Sequence, residues 1–430
     1  MGFTEICGYY YNLKKGFDEI GIESHFFSLF PHPFSYNENE DKELSFMEKF
    51  IRKIIGKIID LRKSSLFKNI VINLFLKIIL GIALSSYYVF LFVKYNVFII
   101  GFAYFPFRGL ELPFFRFFGK KLICVFHGSD SRPPYINGAI IPNDIDFDIF
   151  SLAELTKNKK KLIDKINRYA DIIIDAPATS LFHSRDVLSW FYIGIPYKKP
   201  NNIKINDGTT NKEHVRILHS PSNPIPKGTN HIEQVINKLK TKGHKIDFVK
   251  ISGMPNSVVI DEISKCDFIV DEIFSDTTLA TFATEAASFG KPAVVGGEFS
   301  IFIHKEVPNQ YIPPSLFVGP EDVELAIEKM ITNIEFRLEL GQTAKKFVEK
   351  YWHPKAVAGR FINALDGNTP GNAKFSPYEL TFTGGYGMSR SWRNNVIRLM
   401  IDAFGTSSLQ LDDKPNLRDA LIKPLTQLYS

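Results

Sequence analysis

The chain lacks most of the features that announce a function. Its 430 residues hold only three cysteines, Cys7, Cys124 and Cys266, and no C-x-x-C pair. That excludes a disulfide framework and a thiolate metal site, and it fits a reduced, cytoplasmic setting. Neither G-x-x-x-x-G-K-[ST] nor G-x-G-x-x-G occurs, so no P-loop or dinucleotide fingerprint is present. No apolar core follows Met1, so no secretory leader is expected. The longest nearly uncharged run, Ile78 to Val93, includes Ser85 and Ser86 and stops at Lys94, which argues against a spanning helix. The net charge of +6 is too small to imply a nucleic-acid partner.

What remains is the composition of a folded protein. Hydrophobic residues make up 45% and charged residues 23%, and the length suits two or three domains. From Tyr95 to Phe182, apolar runs closed by Gly or Pro ("YNVFIIGF", "KKLICVFHG", "YADIIIDAP") alternate with helical stretches such as Ser151 to Arg168. The segment Lys198 to His214 is polar and reads as a linker. The alternation then restarts, with strands expected at Val215–His219, Lys245–Ser252, Phe268–Asp271 and Pro292–Gly296, and a helix over Thr278–Phe289. Strand–helix alternation on both sides of a linker predicts an α/β protein with two doubly wound, Rossmann-like domains facing a cleft. The expected division is residues 1–205, residues 212–350, a closing helix over 351–366 and a tail, 367–430, with no assignable role. The N-terminal stretch "CGYYYNLKKGFDEIGIESHFFSLF" already reads as a loop, helix and second strand. The usual first strand is therefore expected to be absent or vestigial.

Two stretches could carry chemistry. "SPSNPIPKGT" (Ser220 to Thr229) leaves a strand and enters a helix. Amides at a helix start favour an anion, Lys227 adds a full charge, and Gly228 permits close approach. An ordinary turn with Thr229 as cap and Lys227 in solvent fits equally well. In "DEIFSDTTLATFATEAASFGKPAVV" (Asp271 to Val295), Asp276 suits an N-cap, which would aim the amides of Thr277, Thr278 and Leu279 at an anion. Glu285 stands among Ala and Phe, where a buried carboxylate needs hydrogen-bond donors such as sugar or ribose hydroxyls; an exposed surface glutamate is the bland alternative.

Together the two stretches resemble the donor site of the glycosyltransferase family 4 group, retaining enzymes of GT-B architecture. Lys227-Gly228 is similar to the lysine and glycine of that group's first motif, and "EAASFGKPAVV" (Glu285 to Val295) to the second half of its later one. The resemblance spans most of Tyr95 to Leu365. It implies that Lys227 holds a donor diphosphate and Glu285 the ribose, with Gly228, Thr229 and the amides of Thr277 to Leu279 beside the phosphates. Ser222 stands where the group has an arginine and Thr277 where it has a first glutamate. In "VFHGSDSR" (Val125 to Arg132), His127 and Asp130 are implied at the reaction centre, and Arg132 and Gly8 on the acceptor side. A core histidine beside a salt-bridged turn is the alternative there.

The resemblance implies transfer from a nucleotide-diphosphate sugar to a glycan or lipid-linked acceptor, in bacterial surface polysaccharide synthesis, with no cofactor and no metal. A nucleotide-sugar epimerase of the same fold and a non-catalytic glycan- or partner-binding protein are the rivals. Residues 42–77 carry nine Lys/Arg against three Asp/Glu and place Phe50, Ile54, Ile58 and Leu61 on one helical stripe. They read as a peripheral anchor to an anionic membrane surface, or as a core helix with a solvated charged side.

Overall fold

The computed structural model describes residues 5–29, 44–63, 70–102, 105–200 and 214–426. Two five-stranded sheets organise them. The first runs β1 (Val97–Gly101), β2 (Lys121–Val125), β3 (Ile172–Asp175) and β4 (Val187–Ser189), all parallel, with β10 (Lys374–Phe375) antiparallel at the β4 edge. The second is wholly parallel, in the order β6 (Ile246–Lys250), β5 (Val215–His219), β7 (Phe268–Val270), β8 (Ala293–Gly296), β9 (Leu316–Val318). Strands that are apolar on both faces demand cover on both sides, and helices supply it. The fold is thus two doubly wound α/β domains, the GT-B arrangement. The linker expected at Lys198 to His214 falls mostly outside the described residues.

Glu5 and Ile6 join no strand, and Phe3 and Thr4 lie outside the described residues. The sheet instead begins at Val97, after two long helices, Phe46–Lys63 and Ile70–Lys94. The expected helix is present at Tyr9–Glu19, but the second strand is not: Ile22 to Ser28 runs without ladder pairing. Its buried end, Phe27 and Leu29, packs into the core shared with Ile51, Tyr87 and Leu91.

The tail has a structural role that its sequence did not disclose. After helix Pro354–Leu365 the chain returns to the first domain, where Lys374 and Phe375 pair with Leu188 and Val187. Helices Arg390–Phe404 and Pro415–Thr426 then bury Val396, Ile397, Met400, Leu417 and Leu421 in that domain's core. A second apolar cluster joins the two domains, running from Ile123 and Ile174 through Trp352 and Phe361 to Ile269 and Val295. Gly194 (φ 82°) lets the Trp352 indole lie against the backbone; a Cβ there would stand 2.2 Å from the ring. Any side chain at that position would have to displace the Trp352 ring and strain the left-handed backbone.

Candidate functional site

The carboxyl ends of both sheets point into one cleft, the standard ligand position for open α/β sheets. From the first domain, the loop after β2 delivers His127, Asp130 and Arg132. From the second, the loops after β5 and β7 deliver Lys227 and the segment Asp271 to Ala280. A third contributor comes from the tail: the loop Thr381 to Arg390 crosses the cleft. Its Tyr386 N–H donates to Ile136 O (3.1 Å), Gly138 N–H to Tyr386 O (2.7 Å) and Gly387 N–H to Phe274 O (2.9 Å). Gly387 is left-handed (φ 65°), and a Cβ there would lie 2.6 Å from Pro226. Nothing in the flanking sequence marks this loop as part of a site except its glycines, and sequence reasoning missed it.

His127 sits at the cleft wall, its Nε2 2.7 Å from the Tyr10 hydroxyl and its ring edge-on to Tyr9 and Tyr10. Desolvation pushes its pKa down to about 4, so the ring is neutral at physiological pH. Gly8 opens the helix that carries the two tyrosines, in the left-handed region (φ 76°). Asp130 accepts the His127 N–H at 2.8 Å through Oδ1, while its Oδ2 is buried without a partner. Burial and the nearby Asp175 raise its pKa. The neighbouring Lys159, which donates to the Ser129 and Arg132 carbonyls, has its pKa lowered by burial.

The Asp276 cap is not formed. Helix Thr281–Ser288 begins three residues later than expected, with Ala280 at its N-cap and no side chain capping it. The Asp276 carboxylate instead binds the Arg132 guanidinium from the opposite domain in a buried ion pair. A charge-assisted bond to arginine outcompetes a neutral amide cap. Thr277 to Leu279 therefore form a loop, with Leu279 in the core and the Thr277 and Thr278 hydroxyls buried without partners.

Lys227 does reach the cleft, but its charge is already engaged. Its Nζ lies 3.1 Å from both Asp271 Oδ1 and Glu272 Oε1, two carboxylates that are almost fully buried. Those acids hold the lysine pKa well above normal against the opposing effect of burial. Gly228 (φ 70°), not Thr229, caps helix Thr229–Thr241. The Thr229 hydroxyl faces inward and bonds His219 Nε2 at 2.9 Å, which removes it from any ligand. The Tyr386 ring stacks on Arg132, with 4.6 Å from guanidinium carbon to ring centroid.

Glu285 is buried and accepts one bond, from Asn256 Nδ2 at 2.8 Å. Its Oε2 has no partner, and burial lifts its pKa to about 8. It borders a pocket at the ends of β5 and β6, lined also by Ser220, Ser222, Gly253 and Phe282. Ser222 is exposed at the rim. A larger, mainly apolar cavity lies away from the cleft, between Tyr10, Ile22, Phe26, Tyr95 and Leu365. None of the unpartnered polar atoms named above lines it.

No family model and no curated protein matches the chain. Among solved structures, it is similar to sucrose-phosphate synthase from Thermosynechococcus elongatus (13% identity, 67% of this chain and 77% of that one, TM-score 0.41). It is also similar to an S. aureus MnaA–UDP complex (13%, 85% and 94%, TM-score 0.44) and to Anabaena HepE in complex with UDP (12%, 66% and 82%, TM-score 0.40). At these identities and scores the likeness assigns no role to any individual residue of this chain.

Proposed function

We propose that the chain is a glycosyltransferase that moves a sugar from a nucleoside-diphosphate donor to an acceptor hydroxyl. The second domain holds the nucleotide and the first presents the acceptor, a glycan or lipid-linked saccharide of bacterial surface polysaccharide synthesis. The observation that carries this is a set of buried, unpartnered polar atoms on facing loops, Asp130 Oδ2, Arg132 Nη1, Asp271 Oδ2, Glu272 Oε2, Thr277 Oγ1 and Thr278 Oγ1, with Glu285 Oε2 on the helix that follows. Buried polar atoms are normally satisfied, and a cluster of exceptions at strand ends suits a ligand rich in hydroxyls and charge.

In this reading ribose hydroxyls donate to Glu285, and the diphosphate meets Lys227 and the uncapped start of helix Thr281–Ser288. The C1–O bond to the phosphate breaks as the acceptor oxygen bonds to C1, and the acceptor proton passes to the departing phosphate oxygen. Stabilising that leaving group needs positive charge that is already in place. The neutral His127 acts as a hydrogen-bonding partner of the transferred sugar and not as a cation. The reaction is taken as retaining and metal-independent, in keeping with the sequence resemblance.

One observation favours a second reading, a non-catalytic nucleotide-sugar-like binder: both cleft cations, Lys227 and Arg132, are paired with acids, and the Thr381 to Arg390 loop lies across them. Incubation with a panel of nucleotide sugars and candidate acceptors separates these readings. Acceptor-dependent release of free nucleotide supports the transferase, an isomerised sugar points to an epimerase, and binding without turnover supports the binder.

A further inference from the structure

Helices Phe46–Lys63 and Ile70–Lys94 pack against each other and against the first domain. Of the stripe expected to face a membrane, Ile54 and Ile58 face inward, beside the buried Ile51 and Ile55; Phe50 is exposed, and the Leu61 side chain lies outside the described residues. What faces outward is the other helix. Phe75, Ile78, Ile82, Val89 and Val93 repeat at helical spacing and are 52–82% exposed, interrupted by the exposed Ser85 and Ser86. The band continues beyond the helix: Phe118 packs on Phe92 (centroids 5.8 Å apart) and Phe117 on Phe118 (5.0 Å), with Phe117 80% exposed. Scattered apolar residues are normal on a surface, but a contiguous aromatic and aliphatic band marks a partner.

Charge identifies the kind of partner. Lys49, Lys53, Lys57, Lys77 and Arg116 are exposed on the same helices and on the Phe114–Phe118 segment. The acids there are few. Asp60 is exposed, but Glu48 is buried, where it accepts from Tyr87 and contacts His25, and Glu111 is buried too. A second copy of the chain would bring like-charged lysines together across a two-fold axis, and protein interface cores are depleted in lysine. Exposed lysines on the same pair of helices as an apolar stripe match a leaflet of anionic lipid, where apolar side chains enter the acyl boundary and ammonium groups meet headgroups.

We infer that this two-helix face, together with Phe117 and Phe118, docks the protein on an anionic bilayer, with helix Ile70–Lys94 lying in the plane of the interface. The stretch Leu74–Lys94 is long and apolar enough to cross a membrane. Its opposite side, however, is committed to the protein: Leu84, Tyr87, Tyr88 and Leu91 belong to the first-domain core, and the Tyr87 hydroxyl bonds Glu48. Spanning would strip that side from its core and leave the Glu48 carboxylate without its tyrosine. Lying flat exposes only the free face to lipid. The inference is independent of sugar transfer, because none of these residues lines the cleft.

Flotation of the full chain with phosphatidylglycerol–phosphatidylcholine vesicles, against phosphatidylcholine alone, tests it. Binding is expected only with the anionic vesicles and should weaken several-fold as salt rises to roughly 0.5 M. Two triple variants, Phe75→Ser/Ile82→Ser/Val89→Ser and Lys49→Gln/Lys53→Gln/Lys57→Gln, should each lose roughly tenfold or more in vesicle affinity with melting temperature unchanged, since all six side chains are exposed. Leu325→Ser, on an exposed site of the second domain, should change nothing. No flotation at low salt, or flotation indifferent to both triple variants, overturns the inference. So does a lipid-free dimer in sedimentation equilibrium that the apolar triple variant converts to monomer, because the band would then be a contact between copies.

Discussion

The two ends of the cleft are built on opposite principles. At the Glu285 end, a buried carboxyl has one neutral partner, Asn256, and an idle oxygen beside a pocket. At the Lys227 end, both cations are already neutralised, one by Asp271 and Glu272 and the other by Asp276, and the tail loop covers them. The first end waits for a donor of hydrogen bonds. The second must release internal ion pairs before it can hold an anion. Nucleoside recognition and diphosphate recognition are therefore separable here, and the diphosphate should add less affinity than its charge suggests.

The harshest way to test that contrast is Lys227→Ala. Two buried carboxylates would lose their counter-charge, so destabilisation of about 3–5 kcal/mol is expected in denaturant titration. In the sequence no acid adjoins this lysine; Asp271 and Glu272 reach it only in the fold. If stability is unaltered, the Lys227 triad is not a structural element, and the two ends of the cleft are alike.

Glu285→Gln should move stability the other way. The folded carboxyl titrates near 8, against the ordinary carboxylate range in the unfolded chain. The folded state therefore keeps its proton between those values, and this group's stabilising contribution, complete below the unfolded value, is lost as pH rises through about 8. The amide avoids that loss, so the variant should be more stable by on the order of 2–4 kcal/mol in mildly alkaline buffer and nearly unchanged at pH 5. Calorimetry adds a second readout. If ribose hydroxyls bind the ionised carboxylate, wild-type nucleoside affinity should rise with pH towards 8, with proton release, and the variant should be weaker and flat. A flat wild-type profile would remove Glu285 from the ribose site.

Gly387→Ala probes the loop across the phosphate end. Its left-handed backbone and the contact with Pro226 predict a loss of about 1–3 kcal/mol and a displaced loop. If the loop restrains the phosphate end, diphosphate binding should accelerate in stopped-flow while nucleoside binding does not. Equal acceleration of both would mean the loop covers the whole cleft. The mildest change is Ser222→Arg. This exposed rim residue can take a guanidinium within about 0.5 kcal/mol of wild-type stability. A new cation at the rim of the Glu285 pocket should raise nucleoside-diphosphate affinity several-fold, and by more than it changes nucleoside affinity.

The alternating apolar runs determined the two parallel sheets, because a strand covered on both faces must be apolar throughout and that pattern is local. Strands β5 and β8 fell within a residue of their expected bounds for that reason. The same locality made Lys227 and Glu285 conspicuous, one at a strand-to-helix turn and the other in a small-residue helix. Short elements were illegible: Val187–Ser189 and Lys374–Phe375 are too brief to show a period and exist because each pairs with a strand far away in sequence. The partners of the site charges were equally hidden. Asp276 abandons its helix for Arg132, 144 residues earlier, and Thr229 turns to His219. Tyr386 reaches the cleft only because the tail folds back across both domains. Sequence determined which groups carry charge and which segments must be buried. Which charge neutralises which was decided in three dimensions, because a buried ion finds its lowest energy with whatever counter-ion the packing brings within a few ångströms.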